Sequence, residues 1–425
     1  MSADQSPAQN ELLSVIEDRR LVVCVGSGGV GKTTTAAAIA IQAAIAGRRA
    51  IVVTIDPARR LANSLGLEAL GNDERQIPLE KFEQFGVKPK GTLHAMMLDT
   101  RTTFDEVIAR VSPDDTTRSR VLGNRVYRHI SDTLSASHDY MASEKLYDLH
   151  NSGRYDLVVL DTPPMKNAID FLEASGRLSR FLDEKIVGWF LKPHEDGRKR
   201  GIQLLSGTGS LVYRLLGNVF GNEFLDEIAE FFLAFHQLIA GFRERAEAVS
   251  ALLRNRQLTR FVVVCTPQST SMEEARYFHS QLVEREMPGG LFVVNQVTPH
   301  AGTERAEDNS GRFLGQMERE WIADHLGSAA DDGELRVFCD RLEGHFDRAV
   351  ARANEEQRAI ESLKAFAGRK VQIVDVPRME DDIFDFDGLL AIDKHLFGVD
   401  SETPSPDDNS PSEAETHKDE GRKTA

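Results

Sequence analysis

Cysteine is scarce in this sequence of 425 residues: Cys24, Cys265 and Cys339 make three, an odd number set far apart. They exclude a disulfide framework, and no C-x-x-C spacing offers a zinc site. Cys24 and Cys265 fall inside β-rich runs, where a thiol acts as a small apolar filler. Long apolar runs are missing too. The longest mainly apolar stretch, residues 36–46, falls well short of the roughly 20 residues needed to span a bilayer. Positive charge is in deficit, with 51 Lys and Arg against 67 Asp and Glu and a formal net charge of −16. No long basic cluster appears, which argues against nucleic acid as a partner, because such a surface needs basic stripes to displace counterions. The first residues are polar and include Asp4, Glu11 and Glu17. No basic start precedes an apolar run, so no signal peptide is read and a cytoplasmic location is expected.

Against these absences stands one dense motif. Gly26, Ser27, Gly28, Gly29, Val30, Gly31, Lys32 and Thr33 match the phosphate-loop pattern G-x-x-x-x-G-K-[ST] at every fixed position. An apolar run, Leu21 to Val25, precedes the motif, and an alanine-rich helix-forming run opens at Thr34. Strand, loop and helix in that order are the context that confirms a nucleoside triphosphate site. Glycines let successive backbone N–H groups turn toward phosphate oxygens, and the following helix points its positive end at the same charge. Gly26 to Thr34 are therefore the candidate nucleotide-binding residues. Lys32 is expected to reach the β- and γ-phosphates, and the Thr33 hydroxyl to ligate Mg²⁺. The plainer reading, a glycine-rich turn that binds nothing, is disfavoured by the number of matched positions.

Along the chain, short β-rich runs alternate with helical segments, which is how a mostly parallel sheet covered by helices is written. The expected strands are 21–25, 50–55, 93–98, 157–160, 261–265, 291–294 and 371–374, several of them unbroken apolar runs suited to burial on both faces. The fold class predicted is an α/β P-loop NTPase with an α-helical insertion at about 171–258. The domain plan is a polar N-terminal segment or helix over 1–19, an ATPase domain over 20–398, and a disordered acidic tail over 399–425, where Ser, Pro, Asp and Glu take over. No internal repeat is visible.

Two more strand ends carry chemistry. The second strand runs into Asp56-Pro57-Ala58-Arg59-Arg60 and the fourth into Asp161-Thr162-Pro163-Pro164. In an open parallel sheet, ligands sit beyond the carboxyl ends of the strands, so both aspartates are expected to face the phosphate loop. Asp161 suits a carboxylate that holds Mg²⁺ through a water. Asp56 suits the group that polarises the attacking water, which with Lys32 makes the candidate catalytic pair. The bland alternative for either aspartate is a helix cap or a turn starter.

The doubled glycine before Val30-Gly31-Lys32-Thr33-Thr34, the Asp56-Pro57-Ala58 segment, and Asp161-Thr162-Pro163-Pro164 with a helix over 168–172 resemble the deviant-Walker-A ATPases. Within that class the chain is most similar to the family of the arsenite-pump ATPase and the ATPase that guides tail-anchored membrane proteins. The resemblance implies that the Asp56 and Asp161 segments are two nucleotide-sensing switches. It also implies that Phe292-Val293-Val294-Asn295-Gln296 is an adenine-recognition strand with Asn295 on the base, and that Pro377 lies near the loop covering the adenine. Asn295 has its own bland reading as a turn residue. The family further implies a dimer that closes around Mg-ATP, hydrolyses it while closed, and does work on a bound client or membrane partner.

Three departures from the family pattern matter. The deviant motif carries a lysine after its first glycine that reaches the partner's nucleotide, and Ser27 stands there instead. A cation supplied in trans to phosphoryl transfer is worth about 10³ to 10⁵ in rate. This predicts either a heterodimer with a lysine-bearing paralogue or local compensation by Lys166, Arg59 or Arg60. Met165-Lys166-Asn167-Ala168 differs from the usual Thr-Gly-His-Thr after the second-switch prolines. No cysteine pair or cluster exists for interfacial zinc or trivalent arsenic, so arsenite export is discounted.

In the insertion, Phe224, Ile228, Phe231, Phe235, Leu238 and Phe242 recur at helical spacing. They read either as a groove for a hydrophobic client or membrane-bound partner, or as stripes buried on one another. Residues 335–366 read as a charge-rich helix with Phe338, Leu342, Phe346, Val350 and Ala353 on its packing face. His129, His138 and His150 lack metal-ligand spacing, and Asp381, Asp382, Asp385 and Asp387 read as a solvated loop. The competing functions are a regulatory nucleotide-binding subunit and a partition or positioning ATPase. The latter expects a basic surface or terminal membrane helix that the acidic C-terminus does not supply. A small-molecule kinase fits the doubled glycine and paired switches less well.

Overall fold

The computed structural model describes residues 7–56, 60–124, 138–165, 168–172, 238, 240–299, 321–322, 325, 332–368, 371–379, 383 and 385–398. Helix α1 (Pro7–Asp18) leads into β1 (Leu21–Gly26), α2 (Lys32–Ile45), β2 (Arg49–Thr54) and α3 (Arg60–Ser64). Then come β3 (Arg75–Gln76), α4 (Leu79–Glu83), β4 (Thr92–Met97), α5 (Thr100–Val111), α6 (Asp115–Gly123), α7 (His138–Asn151) and β5 (Leu157–Asp161). Residues 240–254 are helical and are called α8. The chain closes through β6 (Thr259–Cys265), α9 (Ser269–Glu284), β7 (Gly290–Val297), α10 (Asp332–Ala367), β8 (Ile373–Pro377) and α11 (Phe386–Phe397).

The strands form one sheet in the order β3-β4-β2-β5-β1-β6-β7-β8. Every pairing is parallel except that of β3 with β4. This is the α/β architecture expected, and all seven predicted strands are present. The short antiparallel edge strand β3 is an addition, because Arg75 and Gln76 are both exposed and carry no apolar signal. β1 and β5 are buried at every position, which explains why they read as unbroken apolar runs.

The sheet separates two cores. On one face α1, α2 and α11 pack through Leu12, Val15, Ile16, Ile39, Ile41, Leu389 and Leu396. Six alanines line α2, so it lies close against the strands and is buried from Thr35 to Ala44. On the other face α5, α7, α8, α9 and the end of α10 pack through Val107, Met141, Phe242, Phe278 and Ile360. Polar caps fix where helices begin: Asp99 accepts from Thr102 N at 2.6 Å and Asp114 from Thr117 N at 2.7 Å. Asp385 does the same for Gly388 N at 3.0 Å, so this member of the acidic cluster works as a helix cap.

A buried ion network fastens α8 to α7. Arg245 pairs with Glu144 and, at 2.6 Å, with Asp148, and its guanidinium lies 4.1 Å from the centre of the Tyr147 ring. Burial pushes the Glu144 carboxyl up from its ordinary value, against the pull of Arg245 and the Tyr140 hydroxyl. Lys145 extends the network to Glu106 of α5 at 3.1 Å.

The packing face of α10 needs correction. Phe338 and Leu342 are exposed, while Cys339, Ala353, Ile360 and Leu363 are buried. The helix meets the sheet mainly with its C-terminal half, so periodicity located a stripe but not the extent of its neighbour. The client stripe from Phe224 to Phe235, residues Pro57 to Arg59, Lys166, Asn167, His129, and the tail from 399 lie outside the described residues. No helix among the described residues is long and apolar enough to cross a membrane.

Candidate functional site

At the carboxyl end of β1 the chain turns through the phosphate loop into α2. Gly26 closes the strand where a Cβ would stand 2.3 Å from the Val264 carbonyl of β6, so a larger residue would push the two strands apart. Gly31 is the residue before the helix and has φ 95°, a left-handed conformation that glycine adopts without strain. The loop thereby delivers Lys32 and Thr33 into the first turn of α2, beside the free N–H groups of a helix N-terminus.

The strand register decides which side chains meet there. Asp161 pairs with Cys24 of β1 on one side and Thr54 of β2 on the other. Thr33 Oγ1 and Thr54 Oγ1 both donate to Asp161 Oδ2, at 2.8 and 2.9 Å. Asp161 Oδ1 is buried without a hydrogen-bond partner among the described residues. Burial raises the Asp161 carboxyl to about 6, opposed by the two hydroxyls and by Lys32. Burial also lowers the Lys32 ammonium, which Asp161 and Asp56 counteract. Lys32 Nζ donates to the Ser27 carbonyl at 2.7 Å, folding the loop back over its own cation.

One cleft of about 870 Å³ opens above this arrangement. Its lining includes Gly28, Gly29, Gly31, Lys32, Thr33 and Thr34 of the loop, Asp56 and Arg60 from beyond β2, and Asn295 and Pro377 from β7 and β8. Residues expected to act together from four separate strand ends are thus gathered in one place. Gly26 and Asp161 lie beneath the cleft floor, and Ser27 and Val30 line a smaller cavity of about 420 Å³ on the outer side of the loop with Gln268 and Glu274. The Ser27 hydroxyl donates to the Glu274 carboxylate of α9.

Sequence reasoning missed Thr54, Glu274 and Gln296. Thr54 shows as a strand residue, and its hydroxyl acquires a partner only through the β2–β5 register. Glu274 is one of many acidic residues on an amphipathic helix. Gln296 follows Asn295 in the motif already singled out, and its φ of 62° had no signal in the sequence. Among the described residues no group of three His, Cys, Asp or Glu side chains could hold a metal. His150 is instead partly buried, which lowers its pKa. A hydrated divalent cation held by Thr33, bound nucleotide phosphates and the Asp161 carboxylate through water is a different donor set. The orphaned Asp161 Oδ1 fits that set.

Comparison with known proteins agrees with the geometry. The family model described as anion-transporting ATPase matches residues 19–321. The ATPase get3 of Aspergillus terreus is 24% identical over 318 residues, covering 73% of this chain and 84% of that protein. The ATPase GET3 of Komagataella phaffii is 25% identical over 341 residues, 75% of this chain and 87% of that protein. The ATPase ASNA1 homolog 1 of Paramecium tetraurelia is 25% identical over 298 residues, 69% and 80%.

Proposed function

This chain belongs to the anion-transporting ATPase family and is an ATP-hydrolysing enzyme, and from that premise we propose that it is a dimeric switch which couples Mg-ATP hydrolysis to work on a protein client or membrane partner. The observation that carries the reading is the single cleft in which Lys32, Thr33, Asp56 and Asn295 converge over Asp161.

In this reading the loop amides from Gly28 to Thr34 bind the phosphates, and Lys32 Nζ exchanges the Ser27 carbonyl for β- and γ-phosphate oxygens. Thr33 and Asp161 would hold Mg²⁺, the latter through water, and the cation would offset charge on the phosphates in the transition state. Asp56 stands beyond β2 on the γ-phosphate side and takes the proton of the attacking water. The base falls against the end of the cleft formed by Asn295, Gln296 and Pro377.

The client side of the proposal draws on the tail-anchored-protein-targeting branch of the family. The stretch between Phe171 and α8, with the apolar spacing noted in the sequence, is where such a client would dock. Ser27 gives a second reading some footing. With its hydroxyl committed to Glu274, position 27 supplies no cation to a neighbour, which in this reading makes a lysine-bearing paralogue its partner.

The test is phosphate release by the purified chain and by Asp56→Asn, with particle size measured in ADP and in a nonhydrolysable ATP analogue. Loss of a general base lowers turnover about 10² to 10⁴-fold while ATP binding persists. Turnover that survives the substitution removes Asp56 from the mechanism, and a monomer in both nucleotides removes the dimeric switch.

A further inference from the structure

Beyond β2 the backbone is tied down on both sides of Arg60. The Asp56 N–H donates to Thr54 Oγ1 at 3.2 Å, and that hydroxyl is the one that donates to Asp161. On the other side Leu61, Ala62 and Leu65 are buried with Ile77 and Phe82 in the core on the α2 face of the sheet. Arg60 is the first residue of α3, directly before this buried anchor, so its backbone has little freedom to move away from the strand ends.

The side chain is exposed, lines the large cleft with Lys32, Thr33 and Asp56, and makes no hydrogen bond or ion pair among the described residues. Its charge is felt at the loop: burial is the main cause that lowers the Lys32 ammonium, Arg60 adds to it, and Asp161 and Asp56 oppose both. Two cations directed into one end of a cleft repel each other, and both gain from a polyanion placed between them. Of the three local cations weighed from the sequence, Lys166, Arg59 and Arg60, it is Arg60 that lies among the described residues.

Resting on the nucleotide reading above, we propose that Arg60 is a catalytic residue, whose guanidinium contacts the γ-phosphate of the ATP held by its own chain and stabilises the charge that spreads over it during hydrolysis. In that step the water oxygen bonds to the γ-phosphorus as the bond from phosphorus to the β,γ-bridging oxygen breaks. The electron pair of that bond leaves with ADP, and the water proton passes to Asp56 and then to solvent. Arg60 forms and breaks no covalent bond. Its planar fork of N–H donors meets two phosphate oxygens at once, which a lysine cannot do. The loop amides and Lys32 already hold the phosphates of the ground state, so Arg60 acts chiefly where charge develops. The chemical step then needs no cation from a neighbour.

The full chain is compared as wild type, Arg60→Ala and Arg60→Lys, by equilibrium binding of Mg-ATP and Mg-ADP and by phosphate release. Arg60→Ala keeps both affinities within about threefold, as loss of a transition-state contact should, and lowers turnover about 10³-fold. Retained binding also shows that the variant is folded. Arg60→Lys restores the charge without the fork and recovers roughly tenfold of the loss. Arg60→Ala is then mixed with Asp56→Asn, so that in any hybrid one chain carries Asp56 and the other carries Arg60. Turnover stays at the level of the separate variants if Arg60 serves its own chain. The proposal is overturned if Arg60→Ala turns over as wild type does, if it loses ATP affinity in proportion to its rate, if mixing restores turnover, or if the wild-type chain alone binds ATP without hydrolysing it. A wild-type chain that binds no ATP overturns the nucleotide reading itself, a distinct result.

Discussion

Thr33 Oγ1 donates a 2.8 Å hydrogen bond to Asp161 Oδ2, so one carboxylate oxygen ties the first turn of α2 to the end of β5. Thr54 shares that oxygen, and the other oxygen is left without a partner among the described residues. The arrangement predicts how Asp161→Asn will behave. Removing an outer-shell carboxylate raises the Mg²⁺ concentration for half-maximal phosphate release about 10- to 100-fold. Thermal stability without Mg²⁺ is unchanged or higher, because a buried ionised carboxylate is costly to keep dry. A magnesium titration of turnover, with melting curves, checks both halves, and an unshifted titration would remove Asp161 from the metal site.

Glu274 occupies the outer side of the loop at the position where a cation is missing. A lysine placed at residue 27 would be captured by that carboxylate, its hydrogen-bond partner in the present structure. Ser27→Lys alone is therefore expected to alter turnover less than about threefold. Ser27→Lys combined with Glu274→Gln frees the ammonium and raises turnover at least tenfold, a small part of what a cation in trans can supply. The gain should grow with protein concentration, as a contribution to a neighbouring subunit must. A gain independent of concentration points to action within one chain.

Arg245 compensates two carboxylates inside the protein. Arg245→Ala leaves the buried Glu144 without its paired cation, while Asp148 keeps its ion pair with Arg110, and should cost about 3–5 kcal/mol in chemical denaturation. Pairing Arg245→Met with Glu144→Gln recovers most of that loss, since an uncharged pair needs no such partner. A double variant as unstable as Arg245→Ala would show that packing over Tyr147 is the larger contribution.

The strands most plainly legible in the sequence were those buried on both faces, such as Leu21 to Val25, where every position had to be apolar. Lys32 and Thr33 were legible because the phosphate loop is continuous in sequence. The Thr54–Asp161 contact depends on a register set between residues 107 apart in the chain, which no local pattern encodes. The left-handed backbone of Gln296 sits in an irregularity where β7 meets β8, again invisible locally. Phe338 and Leu342 show the converse failure: helical periodicity predicted a packing face that includes them, yet both are exposed.

Acid stability should reveal one surface pair. Arg49 holds the Asp156 carboxyl down to about 2, chiefly through its side-chain hydrogen bonds at 2.8 and 3.1 Å. A depressed folded-state value means that the pair stabilises the protein above the unfolded-state value. That contribution is lost as pH falls from roughly 4 toward 2. The difference in melting temperature between wild type and Asp156→Asn should be constant near neutrality and shrink across that interval. A gap that persists at pH 2 would assign the effect to packing.

β1 sits at the centre of the sheet, with β5 on one side and β6 on the other. Its phosphate loop is made early, yet the strands that flank it end at Asp161 and Cys265. A ribosome adding about 5–20 residues per second needs roughly 10–50 s to travel from Gly26 to Thr259. Throughout that interval β1 has an unpaired apolar edge, an invitation to mispairing. The nascent chain must therefore shield its most conspicuous motif, by provisional contact with α2 or by a chaperone, until the sixth strand emerges. Ribosome stalling at any point before residue 265, while an edge of β1 is still open, should raise this protein's aggregation above that of the finished chain.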